Sequence, residues 1–80
     1  GDQVRLEKFS VPTMSLWKEW SSKRVTPQNF TCPCKIKPTS PAIIIAEVNK
    51  QAFLCRTLLD RRTFIAAKCD LILIEDIVGS

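Results

Sequence analysis

A short run of β-branched residues, from 42 to 48, most restricts what this chain can fold into. The run reads AIIIAEV. Three consecutive isoleucines favour an extended strand, because β-branched side chains pack well on a pleated sheet. Apolar residues on both faces predict that this strand lies in the centre of a sheet. The longest unbroken apolar run, from Ala42 to Ala46, is far too short to span a membrane.

Further strands are predicted on both sides of this run. They cover residues 4–9, 63–67 and 71–78, which are separated by polar segments. Residues 51–59 fit either a strand that continues a hairpin after an Asn49-Lys50 turn, or a helix with Asn49 as its N-cap, and the strand is favoured.

A closed sheet would hide the edges that the isoleucine run otherwise exposes. The chain is therefore predicted to be mainly β, a small five-stranded barrel with one or two short helices, with an α+β fold as the alternative. Barrels often place glycine at corners and bulges, but both glycines lie near the chain ends, at positions 1 and 79. Asn49 and Asp60 are expected to occupy such positions instead.

The two halves of the chain differ in composition. All of the net charge of +4 belongs to residues 1–40, which also contain four of the five prolines, while Pro41 begins the second half. Residues 41–80 have no net charge and are rich in apolar side chains. Eighty residues suffice for one small domain, so we expect a basic, loop-rich flank (1–40) joined to an apolar β core (41–80). The absence of an initiator Met suggests a domain excised from a longer protein.

One short helix is predicted within the basic flank. Leu16, Trp17 and Trp20 fall on one face of a helix over residues 14–20. Because an isolated helix this short is marginal, it must dock on the remainder of the fold. Residues 21–41 are predicted to be looped or extended, since their prolines remove backbone donors and restrict the residues that precede them.

Four cysteines at positions 32, 34, 55 and 69 allow three interpretations. Two disulfides would join the flank to the core as 32–55 with 34–69 or 32–69 with 34–55, because a 32–34 bond across one proline is geometrically poor. A four-thiolate zinc site is also conceivable, although the spacing is a weak match and zinc is not favoured. Otherwise the thiols are small buried hydrophobes.

Catalytic arrangements are scarce in this sequence. There is no histidine to activate a Cys or Ser nucleophile, and no glycine-rich loop for a phosphate. The expectation is a non-enzymatic protein that has no cofactor and no small-molecule substrate. Asn29-Phe30-Thr31 matches a glycosylation sequon, so Asn29 is a possible modification site in a secreted protein.

Basic and aromatic residues alternate along the flank. Surfaces that bind single-stranded nucleic acid typically combine basic side chains, which contact the phosphates, with aromatic rings, which stack on the bases. A helix face bearing two tryptophans can equally anchor a protein partner, or simply cover a small core. The candidate binding residues are Trp17, Trp20, Lys23, Arg24, Lys35, Lys37, Arg61 and Arg62.

Residues 41–78 resemble the middle of an oligonucleotide/oligosaccharide-binding (OB) fold domain. The resemblance rests on the strand 42–48, on Leu58-Leu59-Asp60-Arg61-Arg62-Thr63, and on the apolar segment after Cys69-Asp70. Phe64 and Cys69 stand where the OB pattern has glycine. Netrin-like domains share that barrel and begin near a Cys-x-Cys, which Cys32-Pro33-Cys34 resembles. This second resemblance implies an extracellular, disulfide-bonded protein.

Two functions are consistent with these observations. The first is a non-catalytic binding or assembly module that binds single-stranded nucleic acid or a protein partner through its basic aromatic flank, in an intracellular setting. The alternative is a secreted, disulfide-bonded recognition domain for a protein ligand.

Overall fold

A computed structural model describes residues 3–23 and 25–74. Its strands are β1 (Gln3–Leu6), β2 (Ala42–Asn49), β3 (Ala52–Thr57), β4 (Thr63–Ala67) and β5 (Leu71–Leu73). One α-helix, α1 (Val11–Ser21), follows β1, and 3-10 turns occupy Pro33–Lys35 and Lys68–Asp70. The protein is thus mainly β. No helix in the described ranges is long and apolar enough to cross a bilayer.

The five strands form one antiparallel sheet in the order β4-β3-β2-β1-β5. The isoleucine run, in β2, lies in the middle of this order, as its apolar character predicted. Residues 51–59 contain a strand, which confirms the favoured interpretation. The hairpin turn is one residue later than predicted, at Lys50-Gln51, because Asn49 still pairs with Ala52.

The predicted barrel is not confirmed, because the described sheet is open, with β4 and β5 at its edges. The outer side of β4 is met by other parts of the chain. The Thr63 N–H donates to the carbonyl of Asn29 (2.9 Å), and the Thr31 N–H donates to the carbonyl of Thr63 (2.7 Å). Farther along β4, the Ala67 N–H donates to the Thr13 hydroxyl of α1 (2.9 Å).

The turn chemistry also differs from expectation. The non-glycine residues with positive φ are Asn29 (60°) and Arg61 (55°) within the described ranges, rather than Asn49 and Asp60. Asp60-Arg61-Arg62 does lie between β3 and β4, as predicted, but the connection covers residues 58–62 and its turn is at residues 58–60. Of the strand predicted over 71–78, residues 71–73 are confirmed and 75–78 lie outside the described residues.

The core lies where β1, β2, β3 and β4 meet the loop of the flank. Every residue of β4 is buried, and α1 packs mainly against this strand. The α-helix is longer than the predicted 14–20 and includes Pro12 in its first turn, where the absent N–H removes no helical bond. The buried cluster comprises Val4, Leu6, Ile36, Ala42, Cys55, Phe64 and Ala66.

Candidate functional site

Three aromatic side chains of the flank form a cluster. The Trp17 and Phe30 ring centroids are 4.7 Å apart, and those of Trp20 and Phe30 are 6.3 Å apart. Both pairs are tilted, and their centroid distances fall in the range of favourable aromatic pairs. The Lys23 ammonium lies over the Trp20 ring at 4.3 Å from its centroid. We call Trp17, Trp20 and Phe30 the aromatic cluster; all three are half-buried.

A groove of about 480 Å³ lies beside the β3–β4 turn. Lys35 and Lys37 line it from the flank, and Arg62 lines it from the turn. We call this the basic groove. Its other lining residues are Ile36, Thr39, Ser40, Thr57, Leu59 and Asp60.

A backbone bridge at the start of β4 links the segment that carries Phe30 to the turn that carries Arg62, although no residue of the aromatic cluster lines the basic groove. Phe30 forms a parallel bridge with Thr63, and Arg62 immediately precedes Thr63. Residues that are far apart in sequence are therefore brought to neighbouring positions by the first residue of β4.

The β3–β4 turn holds Arg62 and Asp60 in a fixed arrangement. The Arg62 Nε is 3.1 Å from the Asp60 carboxylate, and the Thr57 hydroxyl donates to the same carboxylate. The hydrogen bond from Thr57, with a smaller contribution from Arg62, holds the pKa of Asp60 below its ordinary value. The Arg62 N–H in turn donates to the Thr57 hydroxyl (2.8 Å). Asp60 therefore remains ionised and offsets part of the positive charge of the groove.

The structure divides the predicted binding residues among several places. Trp17, Trp20 and Lys23 belong to the aromatic cluster or contact it, and Lys35, Lys37 and Arg62 share the basic groove. Arg61 instead lines a separate cavity of about 190 Å³ with Gln28, Asn29 and Arg56. Arg24 lies outside the described residues.

Several groove residues were not singled out from the sequence. Thr39 and Ser40 lie in the proline-rich segment, and Thr57 lies at the end of β3. Hydroxyl residues are common in loops, so composition gave no reason to select them. Among the groove residues outside the flank, only those of the polar segment 60–62 could be selected from the sequence, because charged residues cluster there.

The cysteines lie in three unlike environments. Cys55 is fully buried in β3, and burial raises the pKa of its thiol to about 12. Cys69 is exposed and its thiol donates to Asp70 over 3.7 Å. All four are free thiols. Within residues 3–23 and 25–74, no three or more Cys, Asp or Glu side chains are grouped to hold a metal ion.

Cys32 and Cys34 lie together as free thiols, with no disulfide between them. Their Sγ atoms are 2.7 Å apart. Cys32 is extended (φ −61°, ψ 131°), and Cys34 belongs to the 3-10 turn that follows it.

Asn29 is exposed, as a modification site requires, and its left-handed backbone is tolerated by asparagine better than by most residues. Its carbonyl is already used by β4, and the Thr31 hydroxyl also donates to that carbonyl (3.1 Å). The side chain, not the backbone, would carry a glycan.

Comparison of the chain with protein families, curated proteins and solved structures finds no match.

Proposed function

We propose that this domain is a non-catalytic module that binds single-stranded nucleic acid through the basic groove and the aromatic cluster. The observation that carries the proposal is the convergence of Lys35 and Lys37 with Arg62, 25 or more residues later in the chain, on one groove. Scattered surface cations would show no such convergence.

The chemistry of the basic groove and of the aromatic cluster suits this ligand. Ammonium and guanidinium groups neutralise phosphates, and neighbouring hydroxyls can donate to phosphate oxygens. The half-buried rings of the aromatic cluster offer faces and edges on which bases can stack. The resemblance of residues 41–78 to OB-fold domains points to the same class of ligand. The closed barrel that this resemblance implies stays a prediction.

The first test measures binding of a labelled oligothymidylate of about 12 nucleotides, a length within the range of such sites. We expect the double variant Lys35→Glu/Lys37→Glu to bind much more weakly than the unaltered chain. Its plot of log affinity against log salt should also be less steep by about 1.4, since each single-strand phosphate contact contributes about 0.7.

Lys50→Glu is the matched control. Lys50 is exposed at the β2–β3 turn, at the opposite end of β3 from the basic groove. This variant changes charge by the same kind of substitution and should leave the salt slope unaltered. Binding that does not depend on salt, or a lack of binding to any oligonucleotide, would contradict the proposal.

A protein partner is the second candidate, and one observation favours it. Leu59 lines the basic groove and is 83% exposed, and neighbouring Leu58 is 42% exposed. The two adjacent leucines form a small apolar patch beside polar groove residues, and contiguous apolar patches with a polar rim mark interaction sites. Leu58→Ser removes apolar surface without changing a residue that lines the groove. It should weaken capture of a protein partner while leaving oligonucleotide binding nearly unchanged, so this variant separates the two functions.

A further inference from the structure

The contact between the Cys32 and Cys34 sulfurs has a structural origin in the turn that follows Cys32. The Lys35 N–H donates to the Cys32 carbonyl (2.9 Å), and the Ile36 N–H donates to the Pro33 carbonyl (3.0 Å). These bonds draw Cys34 back toward Cys32, while the ring of Pro33 fixes φ between them.

This turn is anchored on the core. Pro33 and Ile36 are buried, whereas Cys34 is exposed and Cys32 is half-buried. The anchoring residues and the thiols thus alternate, and the dithiol is held at the surface by a firmly packed support. Cys34 also lines a cavity of about 290 Å³ whose walls include Phe9, Lys8 and Pro38.

We propose that Cys32 and Cys34 form a thiol–disulfide exchange site that reacts with low-molecular-weight disulfides such as oxidised glutathione. This inference is independent of the proposed binding function. Neither Cys55, which is inaccessible, nor Cys69, whose thiol bonds to Asp70, offers a second sulfur at such a distance.

The exchange proceeds in two balanced steps. The Cys34 thiolate attacks one sulfur of the small disulfide, forms a mixed disulfide and expels a thiolate. The Cys32 thiolate then attacks the Cys34 sulfur, closes the Cys32–Cys34 disulfide and expels the second thiolate. Overall, two protein thiols are oxidised to one disulfide, and the substrate is reduced to two thiols.

Two physical properties favour a role in thiol–disulfide exchange rather than a role as a permanent structural disulfide. Because the sulfurs are already in contact, the second step is intramolecular with a high effective concentration. A disulfide that closes so small a loop removes little entropy from the unfolded chain, so it adds little stability and is easily reopened.

The reaction should accelerate as pH rises. The hydrogen bond that the Cys34 thiol makes to the Cys32 sulfur stabilises the neutral thiol, outweighs the opposing charge of Lys35 and raises the pKa of Cys34 above that of an ordinary thiol. Only the thiolate attacks, so the rate should keep increasing through the ordinary thiol range instead of levelling off at neutral pH.

The test incubates the full chain with excess oxidised glutathione, quenches with acid and maps the peptides by mass spectrometry. In the unaltered chain we expect the peptide containing residues 32–34 to lose two hydrogens with little glutathione attached. Cys32→Ser should instead accumulate glutathione on Cys34, at a level at least ~10-fold higher, because the resolving sulfur is gone.

Cys69→Ser is the control, since it removes the other exposed thiol and should leave closure of the 32–34 bond unchanged. Circular dichroism of each variant checks that the fold is retained. Equal glutathione adducts on Cys34 in the unaltered chain and in Cys32→Ser would overturn the proposal. A linkage from Cys32 or Cys34 to Cys55 or Cys69 would overturn it as well.

Discussion

At the scale of single residues, Asp70 is the side chain that accepts the most hydrogen bonds among the described residues. Its Oδ2 accepts from the Ser10 N–H (2.9 Å), the Ser10 hydroxyl (2.6 Å) and the Thr13 hydroxyl. Asp70 is fully buried, and its backbone carbonyl accepts from the Glu7 N–H (2.7 Å). One side chain after β4 therefore secures the N-terminus of α1.

Asp70→Asn should reduce the free energy of unfolding by about 1.5–3 kcal/mol, the usual contribution of hydrogen bonds to a charged group. The amide keeps the size of the carboxylate but cannot accept all three bonds at one oxygen as strongly. Chemical denaturation monitored by tryptophan fluorescence measures this change. Glu47→Gln, at an exposed carboxylate bonded to Lys68, is the control and should cost far less. Equal losses in the two variants would contradict the role of Asp70.

At the scale of elements, the β3–β4 turn contains a backbone conformation that its sequence does not favour. Arg61 has φ of 55°, the left-handed region that costs most residues about 1–2 kcal/mol. The turn is nevertheless fixed, because the Thr57 N–H donates to the Arg62 carbonyl and the Leu58 N–H donates to the Pro41 carbonyl.

Arg61→Gly should therefore stabilise the fold by about 0.5–1 kcal/mol, after the entropy cost of glycine offsets part of the relieved strain. Thermal unfolding gives the sign directly. Arg61 lines a cavity separate from the basic groove, so the same variant should leave oligonucleotide binding unchanged. Arg61→Lys, which keeps a side chain with the same conformational preference, should show no stabilisation; a similar gain there would argue against backbone strain as the cause.

The elements also show how far the sequence could be interpreted. The strand 63–67 and the central strand were predictable because β-branched runs between polar turns have few other solutions. The open sheet was not, because the outer side of β4 bonds to Asn29, Thr31 and Thr13. Those are single hydrogen bonds over long sequence separations, and no local pattern encodes them.

The candidate site was predictable to a similar degree. The basic and aromatic character of the flank could be seen in the sequence, but the separation of Arg61 from Arg62 depends on the left-handed turn between β3 and β4. The Cys32–Cys34 contact depends on a 3-10 turn whose only sequence signal was Pro33.

At the scale of the whole molecule, the buried carboxylate gives the domain a defined response to acid. Burial raises the pKa of Asp70, but the hydrogen bonds from Ser10, Thr13 and Cys69 outweigh that effect and lower the pKa below its ordinary value of 3.8. The carboxylate therefore binds a proton less readily in the folded state than in the unfolded state.

Stability should accordingly be constant with respect to Asp70 above the ordinary aspartate pKa, and should fall as pH decreases through the lower folded pKa. Denaturation curves recorded between neutral pH and strong acid measure this loss. In Asp70→Asn the acid-dependent loss should shrink but not vanish, because the pKa of Asp60 is lowered as well. An unaltered acid profile in Asp70→Asn would contradict the assignment.

The link between Ser10, Thr13 and Asp70 spans 57 to 60 residues of chain. During synthesis, α1 would emerge long before the carboxylate that secures it, and β4, on which it packs, also follows late. Contacts between residues so far apart in the chain form slowly during folding, because a long loop must close before they can be made. Helix α1 would thus be among the last elements of this domain to settle, and its two tryptophans would stay accessible to other molecules throughout that interval.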